Sequence, residues 1–132
     1  MTMTLKTGVA HRLPKFSALE YRFIGNDRWE LTRHFIYFGD ETTVVVPSGF
    51  VTDLDSVPRV PFFYAMFKGF AVRSATIHDS LYKKQRGKAF ADRTFLAAMA
   101  HEGIPTYRRY PIYWGVVAFG QSAYDSYAEV TT

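Results

Sequence analysis

Apolar positions recur at every second residue through the first part of the chain. Leu19, Tyr21 and Phe23 alternate with Glu20 and Arg22, and Trp29, Leu31, Phe35 and Tyr37 alternate with Glu30, Thr32, His34 and Ile36. A period of two predicts half-buried strands, and Gly25-Asn26-Asp27 and Gly39-Asp40 predict the turns between them. A further strand over Thr42-Thr43-Val44-Val45-Val46 is β-branched throughout and ends at Pro47. Residues 17–52 are therefore expected to be mainly strands, joined as an antiparallel meander.

After Pro61 the period changes. Three helices are predicted, from about Phe70 to Lys84, Ala89 to Glu102 and Tyr107 to Tyr124, so that residues 70–126 are mainly helical. Gly87 and Gly103-Ile104-Pro105 act as stop signals. Strands first and helices second is the α+β order, with an N-terminal β-meander followed by a three-helix C-terminal half. At 132 residues the chain is expected to form a single domain spanning 1–132. The third helix is apolar nearly all round, with Ile112, Val116, Phe119 and Ala123 on one stripe and Tyr113, Trp114 and Val117 elsewhere. Such a helix is either central or meets a partner.

Composition narrows the class. Hydrophobic residues make up 48% and charged residues 21%, a balance that excludes disorder, and 17% aromatic content supplies ample core material. The net charge of +4 is dispersed, apart from Lys83-Lys84-Gln85-Arg86-Gly87-Lys88 and Arg108-Arg109. Runs this short fall below the basic face of a nucleic-acid binder, so no specific nucleic-acid partner is expected, and the first reads as a solvated turn. The absence of cysteine excludes disulfides and thiolate metal sites. Pro111 to Ala123, the longest apolar stretch, is broken by Gly115, Gly120, Gln121 and Ser122, so no transmembrane segment is expected. Met1-Thr2-Met3-Thr4-Leu5-Lys6 has no apolar run, so no signal peptide is expected either.

Candidate chemistry lies on the first two helices. At 100° per residue Ala71, Ala75, His78 and Tyr82 share one stripe, with Asp79 to its side. Asp92 shares its stripe with Phe95, Leu96 and Met99, a face that is otherwise core. A carboxylate there is costly to bury without a partner, and the short turn before it places His78 within reach. As a catalytic dyad, Asp92 would fix the His78 imidazole while its other nitrogen acted as general base on water. Asp79 would then hold a metal or an electrophile. As a structural pair, the same two residues would simply tie two helices together.

Two further segments carry candidates. In Thr52-Asp53-Leu54-Asp55-Ser56-Val57-Pro58-Arg59, Asp53 could join Asp79 in holding calcium or magnesium, although the segment is not an EF-hand. Ser56 before Val57-Pro58 reads as a helix cap. In Arg59 to Lys68 no clean period exists, and Phe62, Phe63, Tyr64 and Phe67 are expected to form part of an exposed partner-binding patch.

Val46-Pro47-Ser48-Gly49-Phe50-Val51-Thr52-Asp53, Ser56-Val57-Pro58-Arg59, His78-Asp79-Ser80-Leu81-Tyr82 and Ala91-Asp92-Arg93-Thr94-Phe95, with Tyr113-Trp114 through Phe119-Gly120, together resemble a small domain family of unknown function found widely in tailed phages and prophages. The likeness runs over nearly the whole chain from Tyr21; Asp55 departs from it, standing where the family has a small residue. The resemblance implies a phage origin, a place in the virion or the host cytoplasm, and partners among other virion proteins or components of the host envelope. His78, Asp79, Tyr82 and Asp92 also follow the order seen in prokaryotic secreted phospholipases. There a helix carries His-Asp-x-x-Tyr, a later Asp pairs with the histidine that activates water, and the neighbouring Asp helps hold calcium. The expected function is a hydrolase acting on an ester or amide of the host envelope. The alternative is a non-enzymatic tail or baseplate accessory protein in which the His-Asp cluster is structural.

Overall fold

The computed structural model describes residues 7–10, 13–25, 28–52 and 71–131. Strands β1 (Thr7–Ala10), β2 (Leu19–Gly25), β3 (Arg28–Leu31), β4 (Phe35–Phe38), β5 (Thr43–Val46) and β6 (Val51–Thr52) come first. Helices α1 (Val72–Lys83), α2 (Lys88–His101), α3 (Thr106–Phe119) and α4 (Gln121–Thr131) follow. The protein is α+β with antiparallel strands, as the change of period predicts.

The strands do not form one continuous meander. β1, β2, β3 and β6 make one antiparallel sheet in that order, while β4 and β5 pair separately as a hairpin. Trp29 stands opposite Thr52 and Glu30 opposite Val51, so the chain leaves the sheet after β3 and returns at β6. The hairpin is tied back by Ser17, whose backbone N–H donates to the Ile36 carbonyl at 2.9 Å and whose hydroxyl accepts from the Ile36 N–H at 2.8 Å. The predicted alternation is realised in burial, with Leu31, Phe35, Tyr37, Val44 and Val46 all inside. Phe16, which belongs to no strand, stacks on Tyr37 with ring centroids 5.0 Å apart.

Helix α1 is the centre of the molecule. Ile77 and Leu81 join the strand residues in one apolar cluster, while Ala71 and Ala75 join Phe95, Met99, Ile104, Ile112 and Val116 in a second. An element buried on both sides needs apolar or small residues nearly all round, which Ser74, Ala75, Ile77, Ser80 and Leu81 supply. The turn after α1 reverses the chain through Gln85, at φ 54°, and Gly87, at φ 101°. These left-handed conformations suit glycine, and they set α2 beside α1.

The third predicted helix is two helices. It breaks at Gly120, where a Cβ would lie 2.5 Å from the Val116 carbonyl oxygen and 2.7 Å from the Tyr82 hydroxyl. Only a residue without a side chain lets α3 approach α1 this closely. The chain then turns, and α4 packs back on α1. No helix is long and apolar enough to cross a membrane among the described residues.

Candidate functional site

The structure brings His78 and Asp92 together. His78 Nε2 lies 2.8 Å from Asp92 Oδ1, with the two residues only 8% and 2% exposed. The Tyr82 hydroxyl donates to the same oxygen at 2.7 Å, and the Lys88 ammonium donates to Oδ2 at 2.7 Å. Lys88 also donates to the Val116 and Val117 carbonyls at 3.0 and 3.2 Å, near the C-terminal end of α3. One carboxylate therefore gathers donors from α1 and α2, and its lysine reaches α3.

The charge states follow from these contacts. Burial by itself would raise the Asp92 carboxyl, but the bonds from His78, Lys88 and Tyr82 outweigh it and hold the group below the ordinary carboxylate range. Burial, followed by the Asp92 carboxylate, pushes the Tyr82 phenol far above its ordinary value, so it stays a neutral donor. An ionised carboxylate can only accept, so His78 Nε2 carries a hydrogen. In the neutral imidazole Nδ1 then bears the lone pair. Nδ1 has no hydrogen-bond partner among the described residues, and 10% of the side chain remains open. The ring is wedged between Tyr82 and Phe95, at centroid distances of 4.1 and 4.5 Å, which fixes its plane.

Asp79 is placed apart from this pair. Its Oδ2 accepts from the Thr52 hydroxyl at 2.8 Å and its Oδ1 from the Tyr127 hydroxyl at 3.0 Å. The Lys83 ammonium stands 3.4 Å away and donates to the Val51 carbonyl at 2.7 Å. Asp79 thus joins β6, α1 and α4. A carboxylate already facing an ammonium and two hydroxyl donors is a poor fit for a divalent cation, which would meet a like charge. No group of three metal-ligating side chains comes together among the described residues. Asp53, Asp55 and Ser56 lie outside the described residues, as do Phe62, Phe63, Tyr64 and Phe67.

Several partners escape the periodicity. The basic run is not a free solvated turn, since Lys83, Lys84 and Lys88 all bond to other elements, Lys84 to the Val45 carbonyl at 3.1 Å. Lys88 could have been found from its i,i+4 spacing to Asp92. Tyr127 and Glu102 have no local signal. His101 Nδ1 lies 2.8 Å from the Tyr37 hydroxyl, and its Nε2 lies 3.5 Å from Asp40, so this histidine links α2 to the β4–β5 hairpin.

Fold and site define a small α+β protein with a buried imidazole–carboxylate pair between its first two helices. The chain belongs to the family described as Protein of unknown function (DUF1353), whose model matches residues 29–116. That span contains His78, Asp79, Tyr82, Lys88 and Asp92 but not Tyr127. No curated protein and no solved structure matches the chain significantly.

Proposed function

We propose that the chain is a phage-encoded hydrolase in which His78 is the general base. The observation that carries this reading is the division of labour on one ring. Nε2 is held by an ionised, buried carboxylate, while Nδ1, which bears the lone pair in the neutral ring, has no hydrogen-bond partner among the described residues. Such a nitrogen can take a proton from water as that water attacks an ester or amide carbonyl, and Asp92 stabilises the imidazolium that forms. Tyr82 and Lys88 keep Asp92 ionised and oriented. The phage origin and a host-envelope substrate rest on the sequence likeness, and no step is routed through a cation, because of the surroundings of Asp79.

The saturation of Asp92 favours a second reading. Three donors and near-complete burial would equally suit a structural pin that holds α1, α2 and α3, in a virion accessory protein without catalysis. Turnover of a nitrophenyl ester, phospholipid vesicles and purified cell-wall sacculi separates the two, with His78→Gln as the variant. The catalytic reading expects a loss of about 100-fold or more in kcat/KM with an unchanged circular dichroism spectrum. A folded parent protein that turns over none of the three, or a variant that keeps its rate, would sink it.

A further inference from the structure

Lys88 stands where its own helix disfavours it. It is the first residue of α2, which has no acid in its first turn, so its ammonium lies at the positive end of that helix dipole. Its partners account for the placement. The ammonium donates to Asp92 Oδ2 at 2.7 Å and to the Val116 and Val117 carbonyls at 3.0 and 3.2 Å, which uses all three of its hydrogens. Helix α3 has no basic residue in its last turn, so Lys88 also serves the negative end of that helix. The lysine side chain is only 14% exposed, and water screens its charge little.

We propose that Lys88 is a positioning residue that keeps the Nδ1 lone pair of His78 free, by supplying the one positive charge that the buried Asp92 requires. The proposal deepens the catalytic reading and rests on it for the effect on turnover, though not for the state of the ring. Charge balance carries it. A buried carboxylate without a cation draws a proton onto itself or onto its neighbour. Imidazole is ordinarily the stronger base, at about 6.5 against about 3.9 for an aspartate carboxyl, so that proton goes to the ring. Nε2 already carries a hydrogen toward Asp92 Oδ1, which leaves Nδ1 to receive it. With Lys88 in place, Asp92 is already neutralised, and a second buried cation would be unmatched. The other groups around the ring add no charge. Among the described residues these are Phe95, the neutral Tyr82 phenol and, edge-on to Tyr82, Tyr124 of α4. Asp79, next in sequence, is engaged with Thr52, Lys83 and Tyr127. An imidazolium has no lone pair with which to take a proton from water.

The hydrogens on the two ring nitrogens can be read from two-bond proton–nitrogen correlation spectra of the full chain at neutral pH. In the unsubstituted protein Nδ1 should be bare and Nε2 protonated. Lys88→Gln, which keeps a donor and removes the charge, should leave both nitrogens protonated, and Lys88→Arg should restore the bare Nδ1. Lys88→Met replaces the glutamine variant should that one fail to fold. For a nitrophenyl ester, kcat/KM of Lys88→Gln should fall about tenfold or more at neutral pH and recover as pH rises, with the rising limb of its profile displaced by about one pH unit or more toward alkaline. A merely structural lysine would lower the rate alike at every pH. A proton on Nδ1 with Lys88 in place, or a bare Nδ1 in the uncharged variant, would overturn the proposal. The expected spectra from a protein that turns over no substrate would uphold the role of Lys88 and remove only the hydrolase reading.

Discussion

Glu102 caps a helix to which it does not belong: its Oε1 accepts both the backbone N–H of Ser74, at 3.0 Å, and the Ser74 hydroxyl, at 2.6 Å. Its other oxygen takes the Arg73 backbone N–H at 3.1 Å and the Arg73 guanidinium at 3.3 Å. Helix α1 has no capping side chain of its own and no acid in its first turn. The first N–H groups of a helix are otherwise unsatisfied, and the positive end of its dipole attracts an anion. Glu102, with a side chain only 3% exposed, supplies both needs from the end of α2.

Glu102→Ala is therefore expected to cost about 2–4 kcal/mol of unfolding free energy. Glu102→Gln should recover part of it, because an amide oxygen can still accept from Ser74. Urea melts of the three proteins check this, and an alanine variant as stable as the parent would remove the cap from the account.

Asp92 makes a prediction about acid. Its carboxyl is held below the ordinary range in the folded protein. The stabilisation is thus complete above the unfolded value, about 4, and is lost as pH falls through the folded value. Asp92→Asn should lower stability at neutral pH by about 1–3 kcal/mol and flatten the decline between neutral and acid pH. Denaturant midpoints measured across that range would show two parallel curves if Asp92 were irrelevant.

Tyr37 gives the opposite limb. Burial, with a smaller contribution from Asp40, pushes its phenol up to about 12. A raised value means that the stabilisation is present below the unfolded value, about 10, and is lost as pH rises toward 12. Tyr37→Phe should weaken this alkaline decline. Absorbance titration of the phenols should find one fewer late-ionising tyrosine in that variant.

At Gly120 a methyl group has nowhere to go. Gly120→Ala should cost about 1–3 kcal/mol, since the nearest obstacles are the Val116 backbone oxygen and the Tyr82 hydroxyl. The altered Tyr82 environment should be visible in the tyrosine circular dichroism. An unchanged melting temperature would show that α3 can retreat without cost.

What could be read from the sequence was whatever had a local period. Leu31, Phe35 and Tyr37 announced strands because alternate side chains face one side. Asp92 stood out because an acid on an otherwise apolar helical stripe requires a partner, and His78 sat on the only nearby stripe that offered one. The pairing of β3 with β6 had no such signal, because register between distant segments is set by tertiary packing. Four-residue β1 was too short to show a period. Glu102, Tyr127 and His101 act on elements far away in sequence, so no spacing rule reaches them. The helix break at Gly120 is not legible in the sequence, because the stripe of Ile112, Val116, Phe119 and Ala123 continues past the glycine, and its backbone, at φ −83°, is ordinary. Only the crowding around its missing side chain explains it.

The turn at Gly120 also sets an order of assembly. Gln85 donates to the Tyr124 carbonyl across 39 residues, and Tyr127 reaches Asp79 across 48. Closing separations this large has an entropic cost that must be met before the contacts can stabilise anything. In synthesis from the N-terminus, β6 and α1 are both made well before their third companion. Asp79 therefore waits with Thr52 and Lys83 until α4 arrives, and the junction of sheet and helices is among the last parts of the molecule to become native.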